Sequence, residues 1–308
     1  MLLSDSISKL IPYDGWLVLY KPIGPTSFDM VKQVRRLFPR KTKIGHGGTL
    51  DPLAEGILPI AIGEATKTVD YLMDEKKEYI FEVCWGEQRE TDDLEGEVLH
   101  RSSNRPTQKD IEEILPRFIG PLDQLPPLYS AKKIEGKRAC DLMREGKGVV
   151  LKPSSITVFS LEILSHTPDK TLFKALCSKG TYIRSLARDM GQILDCYGYA
   201  VSIKRSQVGA MSLENALSLE KLAVLEKDGI LGEMIRPIQA VLADIPAVLV
   251  TPDQEKKLRY GQAVVYLQHD LILTDQICAL CINDQNKVVA IVDVDGRSLR
   301  PKRVFNIK

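Results

Sequence analysis

Gly15-Trp-Leu-Val-Leu-Tyr20 is an apolar run, and Lys21-Pro-Ile-Gly-Pro25 stops it. A short apolar stretch bounded by turn formers predicts a buried strand. The period then changes. Phe28, Val31, Val34 and Leu37 recur at helical spacing behind Thr26, with Asp29 three residues on. This predicts an N-capped helix with those four side chains inward. Tyr79-Ile-Phe-Glu-Val-Cys-Trp85 alternates, so Tyr79, Phe81, Val83 and Trp85 share one face of a strand. Thr107 and Asp110 open a second helix, with Ile111, Ile114, Leu115 and Phe118 inward. Strands are expected over 155–164 and 172–177. Ser178-Lys-Gly-Thr181 then leads into a helix that buries Ile183, Leu186, Met190 and Ile193 and carries Arg184 and Arg188 on one face.

Asp244-Ile-Pro246 reads as a linker. Beyond it, Thr251-Pro-Asp-Gln254 is a helix start with Thr as cap and Pro at the first position, and Gly261 can end that helix. Strands are expected over 277–282 and 287–294, with Asn283-Asp-Gln-Asn286 turning between them. The chain thus divides into a larger domain, 1–245, and a small β-rich one, 246–308.

The length of 308 residues, 44% hydrophobic and 27% charged, suits about two domains and excludes wholesale disorder. Lys+Arg is 42 against Asp+Glu 41, a net charge of +1, so a globally basic nucleic-acid binder is excluded. A locally basic one is not. Lys32, Arg35, Arg36, Arg40, Lys41 and Lys43 follow one another with no acid between them. From Tyr129 to Lys152 seven bases meet three acids, whereas Asp74 to Glu97 holds ten acids and three bases. Residues 124–150 look inserted: Pro126 and Pro127 open the segment, Gly136, Gly146 and Gly148 punctuate it, and a short helix is expected over 138–145. No apolar run reaches the length of a membrane span. The start, Met1 to Leu10, has no basic region leading into an apolar one, so a cytoplasmic protein is expected. Cys84, Cys140, Cys177, Cys196, Cys278 and Cys281 are expected to be reduced.

Candidate chemistry begins with Asp51. Pro52 after it disfavours helix, and Gly45, Gly47 and Gly48 before it permit tight turning and close approach of a ligand. The loop either presents a carboxylate or makes an ordinary Asp turn. It lacks the spacing of a P-loop. No metal site is expected: His46, His100, His166 and His269 are far apart, and Cys278-Ala-Leu-Cys281 lies in a strand pattern with no second pair. Gly180-Thr-Tyr-Ile-Arg184 suits an anion site at a helix start, with Tyr182 and Arg184 exposed in the first turn, or else Arg184 is simply solvated. An arginine meeting Asp51 would hold that carboxylate ionised. Tyr79 has the position of a core aromatic.

Taken together, these segments closely resemble the TruB family of tRNA pseudouridine-55 synthases. The resemblance rests on Gly15 to Ser27, on Lys43-Ile-Gly-His-Gly-Gly-Thr-Leu-Asp-Pro-Leu-Ala-Glu-Gly56 and on Gly63-Glu-Ala-Thr-Lys67. Lys77-Glu-Tyr79, Pro126-Pro-Leu-Tyr-Ser-Ala131 with Gly136-Lys-Arg138, and Cys177-Ser-Lys-Gly-Thr-Tyr-Ile-Arg184 complete it. It implies an α+β pseudouridine-synthase fold: a long mixed, mainly antiparallel sheet flanked by helices, an active cleft crossing the sheet, and a small PUA-like C-terminal β-barrel. It implies an enzyme that isomerises uridine in the T loop of tRNA by base flipping, without cofactor or metal. It assigns catalysis to Asp51, which attacks the target nucleotide, to Tyr79, which stacks on the base and takes part in proton transfer, and to Arg184, which pairs with Asp51. It assigns substrate binding to His46, Tyr182, Lys21, Gly48, Thr49 and Lys67, with the Lys21-Pro22 pair supporting the loop. Residues 124–150 match an insertion that closes over the T arm, with Lys132, Lys133, Arg138, Arg144 and Arg188 as candidate phosphate contacts beside Lys32, Arg35, Arg36 and Lys179.

Arg89-Glu-Thr-Asp-Asp93 departs from the family's usual Thr-Asp-Thr-x-Asp, which leaves that loop's contacts open; Cys140 and Asp195 depart elsewhere. A stand-alone bacterial type is expected, monomeric and free of guide RNA and membrane. The alternatives are an RNA-binding or RNA-folding module acting on the tRNA elbow without essential catalysis, and a guide-RNA-dependent relative.

Overall fold

The structure, a computed structural model, describes residues 13–266 and 278–307. Strand β1 (Gly15–Lys21) is the predicted apolar run. Its side chains alternate between two cores: Trp16 and Val18 enter one, Leu17 and Leu19 the other. Burial on both faces is why the run does not alternate with polar residues. β2 (Ile44–His46) and β3 (Ala54–Ile62) follow, and β1 and β2 both run antiparallel to β3.

β4 (Lys77–Trp85) is the alternating strand. It buries Phe81, Val83 and Trp85, while Glu78 and Glu82 on its other face pair with Lys174 and Lys170. A ribbon of β5 (Glu87–Arg89) and β6 (Val98–Arg101) comes next, then β7 (Gly120–Gln124). The insertion carries a hairpin, β8 (Lys133–Ile134) with β9 (Lys137–Arg138). β10 (Ser154–His166), β11 (Lys170–Cys177), β12 (Gly198–Val208) and the short β13 (Met211–Ser212) complete the main sheet. Its order is β1-β3-β12-β4-β11-β10-β7, antiparallel throughout except where β3 meets β12. This is the mixed, mainly antiparallel α+β sheet expected.

Helix α1 (Ser27–Arg35) has the predicted capping box, Thr26 with Asp29. Its buried face matches the prediction at Val31 and Val34, with Leu37 partly buried beyond its end, but not at Phe28. Ser27, Met30, Val31 and Val34 point inward, while Phe28 is 63% exposed. The cause is Ser27, whose hydroxyl donates to Leu50 O and accepts from Leu50 N. That pair turns position 27 into the protein and position 28, about 100° further round, away from it. α2 (Val69–Asp74) precedes β4, and α3 (Gln108–Ile114) starts on the predicted Thr107–Asp110 box. The insertion helix is α4 (Ala139–Arg144). α5 (Ile183–Ile193) buries Ile183, Leu186 and Met190 as predicted, but Ile193 is exposed at its last turn; Tyr182 is its N-cap. α6 (Leu219–Lys227) packs Leu222 and Leu225 with Met30 and Val34 of α1.

α7 (Pro252–Arg259) has its Thr251 cap and first-position Pro. Around it lie β14 (Ala247–Leu249), β15 (Val264–Val265), β16 (Cys278–Ile282), β17 (Val288–Asp295) and β18 (Ser298–Val304), in the order β14-β16-β17-β18-β15. Among the described residues this PUA-like sheet is open rather than a closed barrel. β14, β15 and β18 lack a periodic signal: two are very short and the third is Ser-Leu-Arg-Pro-Lys-Arg-Val. The sheet packs on the first one, with Leu280, Val288, Ile291 and Phe305 in one core with Trp16, Val18 and Ile57. The six cysteines are free, and no described helix is long and apolar enough to cross a membrane.

Candidate active site

The loop between β2 and β3 carries Asp51, and it is tied down from three directions. α1 holds Leu50 through Ser27. Beneath, the Lys21 ammonium donates to Ala54 O (2.6 Å), Pro22 O (3.0 Å) and Pro52 O (3.2 Å). From β12, Arg205 donates to Ile57 O (2.8 Å), Gly48 O (3.1 Å) and Thr49 O (3.4 Å). Gly48, at φ +119°, takes a left-handed turn that other residues resist. Gly56 lets β3 close on β12, since a Cβ there would lie 2.2 Å from Arg205 O. Lys21 is fully buried, so its place as a substrate contact is corrected: it supports the loop from below. Burial lowers its pKa to about 8, against the opposing pull of the Asp51 carboxylate.

Arg184, expected at the surface of the first turn of α5, is only 4% exposed. Its guanidinium is drawn in by acceptors from three other segments. Nη2 pairs with Asp51 Oδ2 at 2.8 Å and donates to Tyr129 O at 3.0 Å. Nη1 pairs with Asp93 Oδ2 at 3.2 Å and donates to Thr91 O at 2.8 Å. Asp51 remains 37% exposed, so a buried fork orients a reachable carboxylate.

The second arginine of that face is also engaged. Arg188 pairs with Asp92 (2.9 Å) and Asp189 (2.8 Å) and donates to Leu125 O (2.8 Å). It therefore has no free fork for a phosphate, and its expected role is corrected. Burial pushes the Asp92 carboxyl up to about 6, with Arg188 opposing. Asp92 on Arg188 and Asp93 on Arg184 both come from the divergent 89–93 loop. Sequence reasoning missed them, because ten acids over 74–97 read as bulk charge.

Asp51, Arg184 and Tyr79 meet at one crevice of about 280 Å³, walled also by Gly48, Thr49 and Tyr182. Tyr79 stands between Arg205 of β12 and Ala175 of β11 in the sheet register. Burial raises its hydroxyl pKa, and the Arg205 charge partly counters that. Burial likewise raises Tyr182. Lys77 lines the same crevice, buried, with its ammonium on Leu72, Met73 and Glu75 carbonyls, and burial lowers its pKa to about 8. Sequence reasoning gave no role to Arg205 or Lys77; only the quoted Lys77-Glu-Tyr79 pointed near them. His46 sits at the loop's entry in β2, its pKa lowered by burial and then by Arg205, so its imidazole is neutral at pH 7.

Gln124 clasps the start of α5, donating to Tyr182 O (3.1 Å) and accepting from Tyr182 N (2.8 Å). The root of the insertion is thereby fastened beside Arg184. Lys132 reaches the crevice rim and Ser154 Oγ, while Lys133, Arg138 and Arg144 are exposed. Lys67, expected at the substrate, lies elsewhere. Its ammonium pairs with Glu64 (2.6 Å) and donates to Val304 O (2.7 Å), bridging to the second sheet. Among the described residues no cluster of His, Cys, Asp and Glu could hold a metal ion.

A family model described as TruB family pseudouridylate synthase (N terminal domain) matches residues 35–183. The tRNA pseudouridine synthase B of Rhodopseudomonas palustris is 44% identical over 299 residues, covering 95% of this chain and 81% of that protein. Its namesake in Sinorhizobium medicae is 42% identical over 301 residues, covering 96% of each. Of solved structures, a Cbf5-Nop10-Gar1 complex matches at a TM-score of 0.72 and 22% identity, over 96% of this chain and 86% of the other. An H/ACA RNP bound to a substrate RNA containing 2'-deoxyuridine matches at 0.71 and 20%, over 97% and 87%. These two likenesses concern the fold.

Proposed function

Because the chain belongs to the TruB family of pseudouridylate synthases, we propose that its crevice converts uridine to pseudouridine at position 55 in the T loop of tRNA. The observation that carries this is the Asp51 carboxylate, held 2.8 Å from a buried Arg184 at the crevice that Tyr79 also lines.

The reaction breaks the N1–C1′ bond of uridine and joins C5 to C1′; C5 then gives up its proton and N1 gains one, so the product is an isomer. Nothing is oxidised and no group is lost, so the residues present meet its demands. The target base leaves its stack, at a cost of a few kcal/mol. Tyr79 offers it a flat face, and stacking returns roughly 1–3 kcal/mol. Asp51 acts on the sugar or the ring. Addition to C1′, addition to C6 and removal of a proton all use its carboxylate, which Arg184 orients through the 2.8 Å pair. Asp93 and the Thr91 and Tyr129 carbonyls hold Arg184 in place, so it keeps its geometry while Asp51 reacts. Tyr182, Gly48 and Thr49 wall the nucleotide, with His46 beside the loop.

Residues 1–245 form the catalytic domain and 246–308 an accessory RNA-binding domain. The exposed Lys132, Lys133, Arg138 and Arg144 of the insertion meet tRNA phosphates. The protein works in the cytoplasm as a monomer, without guide RNA. Near-complete alignment with bacterial relatives supports the stand-alone reading.

Tritium release from C5-labelled uridine in a T-arm stem-loop tests the proposal. Wild type releases tritium only when the uridine stands at the target position, and Asp51→Asn binds the RNA without release. Full turnover by Asp51→Asn would overturn the assignment.

A further inference from the structure

The outward face of α1 is basic and polar, with Lys32, Gln33, Arg35 and Arg36 exposed, and it carries one exposed ring, Phe28. Phe28 is 63% exposed and Ile23, in the turn before the helix, 62%. Both stand beside the catalytic loop. Gly24 N donates to Pro52 O at 2.8 Å, and Ser27 is bonded to Leu50, the neighbour of Asp51. The Lys32 ammonium lies over the Phe28 ring, 4.5 Å from its centre. Exposed Arg35, Arg36, Arg40, Lys41 and Lys43 continue the surface. Among the described residues, the one ion pair in this basic run is Lys32 with Asp29, at 3.5 Å. An exposed ring set in unneutralised positive charge complements a polyanion that also has flat apolar faces, which is unpaired RNA. Exposed apolar residues scattered singly need no partner; this one is joined to the reacting loop.

We propose that Phe28, with the Lys32 ammonium over its ring, is a stacking platform for an unpaired base of the substrate RNA next to the flipped nucleotide. This rests on the isomerase reading above. Lys32 and Arg36 take the phosphates on either side of that base, and the ring fixes the strand's path into the crevice.

The test uses the full chain and a T-arm stem-loop. Phe28→Ala raises KM roughly 10-fold or more, with a much smaller change in kcat. Phe28→Leu, apolar but without a π face, behaves like Phe28→Ala, and Phe28→Trp restores KM. The native Trp16 and Trp85 are fully buried. In a Phe28→Trp, Asp51→Asn chain the new indole therefore dominates acrylamide quenching, and RNA at saturation shields it. An unchanged KM in Phe28→Ala, an indole still open to acrylamide with RNA bound, or a Phe28→Leu chain equal to wild type would each overturn the platform. Self-association that Phe28→Ala abolishes would assign the face to a second copy instead. Wild type that binds RNA without forming pseudouridine would sink the isomerase reading, while the quenching result still decides the platform.

Discussion

Arg184 and Arg138 carry the same guanidinium in opposite settings. Arg184 is buried, and its four acceptors come from Asp51, Thr91, Asp93 and Tyr129, all distant in sequence. Arg138 is exposed and forks onto Asp141, three residues away, at 2.7 and 3.1 Å. A buried arginine cannot leave its partners without stranding charge, so it defines a position. An exposed local pair is worth about 0–1 kcal/mol and trades its carboxylate for another anion at little cost. The crevice is therefore built to hold geometry, and the insertion to exchange partners.

The comparison breaks most visibly at Arg184. Arg184→Ala leaves Asp93 buried without its cation, and should lower stability by about 3–5 kcal/mol. The same change should slow isomerisation by at least roughly 10²-fold, since a preorganised charge at the site is lost. Urea melts and single-turnover assays check both; a loss of turnover with full stability would mean that Arg184 is not the keystone of the network.

A smaller effect separates buried lysine from surface lysine. The Lys77 ammonium titrates near pH 8 in the folded chain instead of near its ordinary 10.5. Its burial therefore costs most stability below pH 8, and the cost shrinks as pH rises toward 10.5. Relative to Lys77→Met, wild type should gain on the order of 1–2 kcal/mol between pH 7.5 and 9.5. Parallel urea melts of the two chains measure it, and a constant difference across that range would contradict the burial cost.

The smallest effects belong to the insertion. Arg138→Ala and Arg144→Ala should each shift stability by no more than about 0.5 kcal/mol. Each should weaken tRNA binding and reduce the salt slope of log Kd by about one. Titrations between roughly 50 and 200 mM salt give the slope; an unchanged one would remove these residues from the phosphate contacts.

Much of the fold was legible because its signals are local. The Thr26, Thr107 and Thr251 boxes were readable from spacings of three residues, and each caps its helix. The alternation of β4 and the double burial of β1 were readable from periods of two and one. Phe28 was misread because two apolar stripes fit α1, and the choice between them fell to Ser27 and its bonds to a loop elsewhere in the chain. At the site, Asp51, Tyr79 and Arg184 came from the resemblance, since each residue alone had an ordinary structural reading. Asp93 and Arg205 gave no signal, because a charged residue looks the same in sequence whether it ends in water or in a core.

Sequence by itself determined the family and those elements and caps that rest on short-range spacing and residue type, and the resemblance to that family named the three groups at the crevice. Tertiary structure alone decided that Arg184 and Arg188 are internal, that Lys21 props a loop, that Lys67 joins two sheets and that Phe28 faces outward. The charged side chains follow whichever acceptors lie within about 3 Å of their tips, and Phe28 follows from the Ser27 bonds to Leu50. A side chain's burial and partners are properties of the packed chain, set only when strands far apart in sequence come together.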